Sequence, residues 1–165
     1  MKIIFLATGG TIDKVYFDAL SSFQVGESML DTMLSEANVE VEYEIVQLMR
    51  KDSLDLSDED RAKVRQAILE SSESRFVVTH GTDTMVQTAR AVGQIPGKTV
   101  VFTGALSPAR FKGSDALFNL GLAVGAVQSL QEGTFIAMNG QIFEPGTVEK
   151  NREANRFEVA PSTTP

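Results

Sequence analysis

Two polar loops carry the residue types that could do chemistry. One is Thr8-Gly9-Gly10-Thr11-Ile12, directly after the apolar run Ile3-Ile4-Phe5-Leu6-Ala7. The other is His80-Gly81-Thr82-Asp83-Thr84-Met85, directly after Val77-Val78-Thr79. A threonine hydroxyl becomes a nucleophile when a neighbouring base takes its proton. With no cysteine and a single histidine in the chain, lysine is the available nitrogen base. A lysine starts near a pKa of about 10.4, so it must be desolvated or lie near other cations to accept a proton at neutral pH. Asp83 could pair with an ammonium group in a charge-assisted hydrogen bond. A backbone N–H in the Gly81-Thr82 turn could face a developing oxyanion, worth roughly 3 kcal/mol. Each residue alone has a structural reading of equal weight: Gly9-Gly10 as a turn with positive φ, Thr82 and Asp83 as N-caps of a following helix. Phosphate binding is the weaker alternative. The first loop lacks Gly-x-Gly-x-x-Gly spacing, and no Gly-Lys-Ser/Thr follows it.

Such loops need strands to hold them. Residues 2–8 form an apolar run ending in glycines, the pattern of a strand buried on both faces of a parallel sheet, and Arg75 to Thr79 makes a further strand. Thr99-Val100-Val101-Phe102-Thr103 repeats the scheme and ends at Gly104-Ala105-Leu106. Val39 to Leu48 alternates Val39, Val41, Tyr43 and Ile45 with glutamates, which predicts a half-exposed strand near a sheet edge. Helices are expected over Glu27–Ala37, from an N-cap at Ser57 to about Ser71, over Thr84–Val92, and over Asp115–Leu130 with Ser114 as N-cap. Gly9 to Gly26 shows no period and reads as an irregular lid. Gly133–Met138 and Gln141–Phe143 flank the tight-turn dipeptide Asn139-Gly140. Residues from about 160 to 165 read as a polar, frayed tail. This alternation predicts an α/β three-layer sandwich with a mostly parallel, Rossmann/flavodoxin-like sheet, whose loops after the first, third and fourth strands converge at one edge.

At 165 residues the chain is expected to be one domain. The composition, 42% hydrophobic and 22% charged, is that of a globular protein and argues against disorder and membrane spanning. A net charge of −7 without a long basic run argues against a nucleic-acid partner. The absence of cysteine excludes a disulfide framework and thiolate metal ligation, and one histidine excludes a multi-histidine metal site. The start Met1-Lys2-Ile3-Ile4-Phe5-Leu6 is too short an apolar run for a signal peptide, which makes the cytoplasm the expected compartment.

Taken together, the two loops resemble the signature segments of the bacterial-type L-asparaginases, amidohydrolases that release ammonia from asparagine and sometimes glutamine. The resemblance extends over nearly the whole chain. It takes in the turn Asp52-Ser53-Leu54-Asp55-Leu56, the stretch Gly104-Ala105-Leu106-Ser107-Pro108 with Ser114-Asp115 and Phe118-Asn119-Leu120, and the segment from Met138-Asn139-Gly140 to Val148-Glu149-Lys150. It matches only the family's N-terminal domain; the smaller C-terminal domain has no counterpart. Residues 1–165 are therefore expected to be a single catalytic domain, either a natural short form, which the start at Met1 and the polar tail favour, or a fragment.

The resemblance implies that Thr11 attacks the side-chain amide of L-asparagine to form an acyl-enzyme, with Thr82, Asp83 and Lys150 as a second polar triad. It implies that Ser53 and Asp83 hold the substrate's α-carboxylate and α-amino group, that Gly81 and Thr82 line the site, and that the Ala105 carbonyl lies beside the amide. It also implies no cofactor, no metal, and a homodimer or homotetramer. Two departures stand out. Phe23 occupies the position of the family's lid tyrosine, leaving Tyr16 as a candidate hydroxyl donor, with Lys14 or water as substitutes; Ser107 stands where the family has an arginine. The alternatives are a catalytically silent asparagine-binding sensor domain and a glutaminase or amidotransferase-type component.

Overall fold

The computed structural model describes residues 1–17 and 22–161. Its centre is a six-stranded sheet built from β1 (Lys2–Gly9), β4 (Glu42–Lys51), β5 (Arg75–Thr79), β6 (Thr99–Thr103), β7 (Gly133–Met138) and β8 (Gln141–Phe143). The strand order is β4-β1-β5-β6-β7-β8, and only β8 runs antiparallel to its neighbour. Two further antiparallel pairs lie outside it: β2 (Lys14–Phe17) with β3 (Ser22–Val25), and β9 (Val148–Asn151) with β10 (Arg156–Val159).

The apolar runs place their side chains on both faces of the sheet. From β1, Ile3, Phe5 and Ala7 pack with Leu30, Met33 and Leu34 of α1 (Leu30–Glu36) and with Ala116, Leu120 and Ala123 of α4 (Ala116–Ser129). Ile4 and Leu6 point the other way, against Val64 and Ile68 of α2 (Asp58–Glu70) and Met85, Ala89 and Val92 of α3 (Met85–Val92). Two helices per face make the three layers, and each fully buried Leu, Ile or Phe contributes roughly 1.5–3 kcal/mol.

Several expected elements appear where the pattern put them. Ser57 caps α2 in a capping box with Asp60. Asn139 and Gly140 both take positive φ in the turn between β7 and β8. Val39–Leu48 forms the outer strand β4, shifted three residues along.

Three expectations are corrected, and a fourth is untested. The segment after Gly9 is not irregular: it is a 3-10 turn (Thr11–Asp13) followed by the β2–β3 hairpin, with Lys14↔Val25, Tyr16↔Phe23 and Phe17↔Ser22 in register. Residues past Lys150 continue into the β9–β10 ladder, a hairpin that a polar sequence without periodicity did not announce. The tail assignment falls largely on residues 162–165, outside the described residues. The α4 N-cap is Asp115, although Ser114 Oγ accepts the Ala116 N–H at 3.0 Å.

Candidate active site

Four loops meet at the C-terminal edge of the parallel strands, with backbone against backbone at Gly9, Gly10 and Gly104 and against the Ser53 side chain at Gly81. Gly9 (φ 101°) lies so close to Lys51 that a Cβ there would come within 2.6 Å of the Lys51 carbonyl oxygen. Gly10 (φ 93°) lies against the Gly81 main chain, where any Cβ would overlap it. A Cβ on Gly81 would in turn lie 2.6 Å from the Ser53 Cβ and Oγ, and one on Gly104 would run into the His80 carbonyl. The absence of side chains at these four positions is what lets the loops carrying Thr11, Thr82, Ser53 and Ala105 come together. Hydrogen bonds fix the arrangement: Gly10 N–H to Lys51 O at 3.0 Å, Thr84 Oγ1 to Ser53 O at 2.7 Å, and His80 N–H to Thr103 O at 2.9 Å.

Thr82 is buried, and its hydroxyl oxygen accepts a hydrogen bond from Lys150 Nζ at 2.8 Å. The same ammonium lies 2.9 Å from Asp83 Oδ1, with Arg152 Nη2 at 3.8 Å from that oxygen. The Lys150 side chain is only 15% exposed. Its position in a polar stretch gives, without the resemblance, a solvated surface lysine; the β9–β10 hairpin instead folds it back over the Thr82 loop. Thr82 and Asp83 are accordingly not the caps of α3, whose N-cap is Thr84.

The remaining candidates are placed as follows. Thr11 opens the 3-10 turn and is partly buried. Ser53 and Ala105 are buried, the first facing Gly81 and the second following Gly104. Tyr16 is 54% exposed and sets its ring edge-on to Phe23, which contacts Phe111 the same way; no hydrogen bond joins Tyr16 to Thr11 among the described residues. Lys14 is held by Asp52 at 2.7 Å. Burial opposes ionisation of Asp52, but that ammonium and the Leu54 N–H outweigh it and hold the carboxyl below its usual range.

Three groups matter that sequence reasoning did not single out. Asp13 is buried beside the nucleophile turn, accepting the Met29 N–H at 2.9 Å through Oδ1. Burial pushes its carboxyl up to about 6, against the effect of the Met29 bond. Asp115 accepts the Leu106 N–H at 3.0 Å and the Ser107 N–H at 3.1 Å, so it orders the loop after β6. Asn119, 1% exposed, donates to Gly104 O at 3.1 Å and to Asp115 Oδ2 at 2.8 Å. Their neighbours in sequence gave no sign of these contacts, which span 4 to 16 residues. His80, fully buried, has Nδ1 at 2.8 Å from Gly81 O. Burial, with Arg61 nearby, lowers its pKa to about 4, so it is neutral at neutral pH and its Nδ1–H pins the loop.

The family model for the N-terminal domain of asparaginase matches residues 2–162. The chain belongs to the asparaginase family. It is 34% identical to the Haemophilus influenzae protein named "Probable L-asparaginase periplasmic", over 90% of this chain and 46% of that one. It is 30% identical to the L-asparaginase of Thermococcus kodakarensis over 91% of this chain and 48% of that one. The solved structure of the thermostable L-asparaginase from Thermococcus kodakarensis superposes with a TM-score of 0.82 at 27% identity, covering 96% of this chain and 51% of that one. The asparaginase-family chain thus spans about half the length of the relatives it matches. Relatives are named periplasmic and cytoplasmic alike, and none of the helices described here is long and apolar enough to cross a membrane.

Proposed function

We propose that this chain is an amidohydrolase that cleaves the side-chain amide of L-asparagine to aspartate and ammonia through a threonine acyl-enzyme. The observation that carries the reading is the Lys150–Thr82–Asp83 cluster, assembled from segments 67 residues and more apart on the loop that packs against Gly10. Thr11 Oγ attacks the amide carbon while its proton passes through the Thr82 hydroxyl to the Lys150 side-chain nitrogen acting as base. The tetrahedral oxyanion collapses as the C–N bond breaks, and the proton leaves with ammonia. Water then cleaves the ester, releasing aspartate and restoring Thr11. Ser53 and Asp83 are assigned to the α-carboxylate and α-ammonium, the Gly81-Thr82 turn to the oxyanion, and the Ala105 carbonyl to the amide nitrogen. Tyr16, set edge-on to Phe23 at the surface, has no part in this route unless the hairpin swings inward.

The test is ammonia release from L-asparagine, L-glutamine and their D-forms, with Thr11→Ala alongside. Thr11→Ala is expected to fold and to release none; turnover by that variant removes Thr11 from the mechanism. Lys150→Met is expected to lower kcat by about 10²-fold or more, the usual contribution of a general base, with a small change in Tm. Asparagine binding without turnover in the parent chain would favour the silent sensor, and a preference for glutamine or a larger amide the glutaminase or amidotransferase reading. We also propose that the chain forms a homodimer or homotetramer, on the exposed apolar face of α4 treated below.

A further inference from the structure

Lys150 stands on a two-stranded ladder that shares no strand pairing with the central sheet, so something other than β-structure must fix where its ammonium falls. Phe157 is its cross-strand partner. The Phe157 ring is fully buried in the core with Val148 and Phe143, which fixes the ladder's distance from the sheet. Its N–H donates to Asn139 Oδ1 at 2.8 Å. Asn139 is itself held: it sits in the β7–β8 turn at φ 53°, and its own N–H donates to Asn119 Oδ1 at 3.2 Å. Asn119, through its Nδ2, grips the loop after β6 at Gly104 O. A chain of two amide side chains, Asn119 buried and Asn139 half-buried, thus connects the Ala105 loop to the strand opposite Lys150. Apart from the contacts of Lys150 and Arg152 with the Thr82-Asp83 loop, the polar ties from the ladder to the sheet and its helices among the described residues are this one and Arg90 Nη2 to Val148 O at 3.4 Å, at the far end of β9.

We propose that Asn139, oriented by Asn119, is a positioning residue for Lys150, acting through the Phe157 backbone to set the reach of the ammonium to Thr82. The proposal rests on the assignment of Lys150 as the base for its kinetic consequence, but not for its geometric one. An Asn–backbone bond to the fully buried Phe157 holds register more sharply than packing alone, because leaving that N–H unpaired costs free energy and the ladder cannot slide without doing so.

The experiment compares Asn139→Gly and Asn139→Asp in the full chain. Glycine accepts the positive φ without strain and deletes the acceptor; aspartate keeps an acceptor and tolerates that backbone region. Two readouts are taken: kcat, KM and the pH profile of kcat for asparagine, and acetylation of Lys150 by an N-hydroxysuccinimide ester, scored by peptide mass spectrometry against exposed Lys63 in the same sample. Asn139→Gly is expected to raise Lys150 labelling several-fold relative to Lys63, to lower kcat by about tenfold with KM nearly unchanged, and to move the limb of the pH profile set by the base. Asn139→Asp is expected to restore both. Unchanged Lys150 labelling in Asn139→Gly, or an Asn139→Asp variant as impaired as the glycine variant, overturns the proposal. If the parent chain releases no ammonia from any amide, the catalytic reading falls by itself, and labelling still decides the positioning role.

Discussion

Asp13 and His80 are buried ionisable groups whose charges the fold penalises in opposite directions. The Asp13 carboxyl has its second oxygen unpartnered among the described residues and a pKa raised to about 6 from 3.8. The unfolded chain releases that proton first, so the stability Asp13 contributes is fully present below about pH 4 and is lost as pH rises through about 6. His80, lowered to about 4 from 6.5, works the other way. Its contribution is full above about pH 6.5 and is lost as pH falls toward 4. In the parent chain the two slopes overlap and partly cancel. Asp13→Asn should leave only the histidine slope. Urea unfolding at a series of pH values should then show the variant gaining on the parent between pH 4 and 7, by up to ~3 kcal/mol. A difference that does not change with pH would show that Asp13 ionises normally. Because this carboxyl sits at the root of the β2–β3 hairpin, where Asp13 O also accepts the Gly26 N–H at 2.8 Å, the same titration bears on how firmly the hairpin is anchored next to Thr11.

At the scale of elements, the loops are held together by what their glycines lack. Gly10→Ala combines a positive φ with an overlap onto Gly81, so it should destabilise the chain by at least ~2 kcal/mol and lower Tm by several degrees. Gly121→Ala, in the middle of α4 with open space around it, should instead be neutral or stabilising by up to ~1 kcal/mol. Equal Tm changes for the two would mean that the Gly10 contact is not tight. The parallel strands β1, β5 and β6 were legible in the sequence because burial on both faces requires an unbroken apolar run, and α2 because its cap obeys a local rule. The β2–β3 and β9–β10 ladders were not: each strand has only four residues, too few for a period to mark it, and its position depends on contacts with distant segments. Of the candidate site, Thr11, Thr82, Asp83 and Lys150 were named through family resemblance, since polarity alone placed Lys150 in solvent. Asn139 was legible as a turn residue, but the acceptor it offers to Phe157 was not.

For the whole molecule, α4 is the conspicuous surface. Its 14 residues include no charged side chain, and it leaves Leu117 and Phe118 49% and 65% exposed, beside the 42% exposed Ile142. In a chain of net charge −7, an uncharged helix face is where two copies can approach without repulsion, and a twofold contact would cover the same residues on both. Leu117→Asp combined with Phe118→Glu is expected to reduce the mass measured by light scattering to that of one chain, with ammonia release as the second readout. An unchanged mass would move the interface elsewhere. The meeting of Gly9, Gly10, Gly81 and Gly104 carries a different consequence, for anyone wishing to redirect this scaffold. Contacts made at positions without side chains offer nothing there to trim or enlarge, so altered selectivity has to be sought in the exposed side chains nearby, the aromatic trio Tyr16, Phe23 and Phe111 and the arginine at 152 that approaches Asp83.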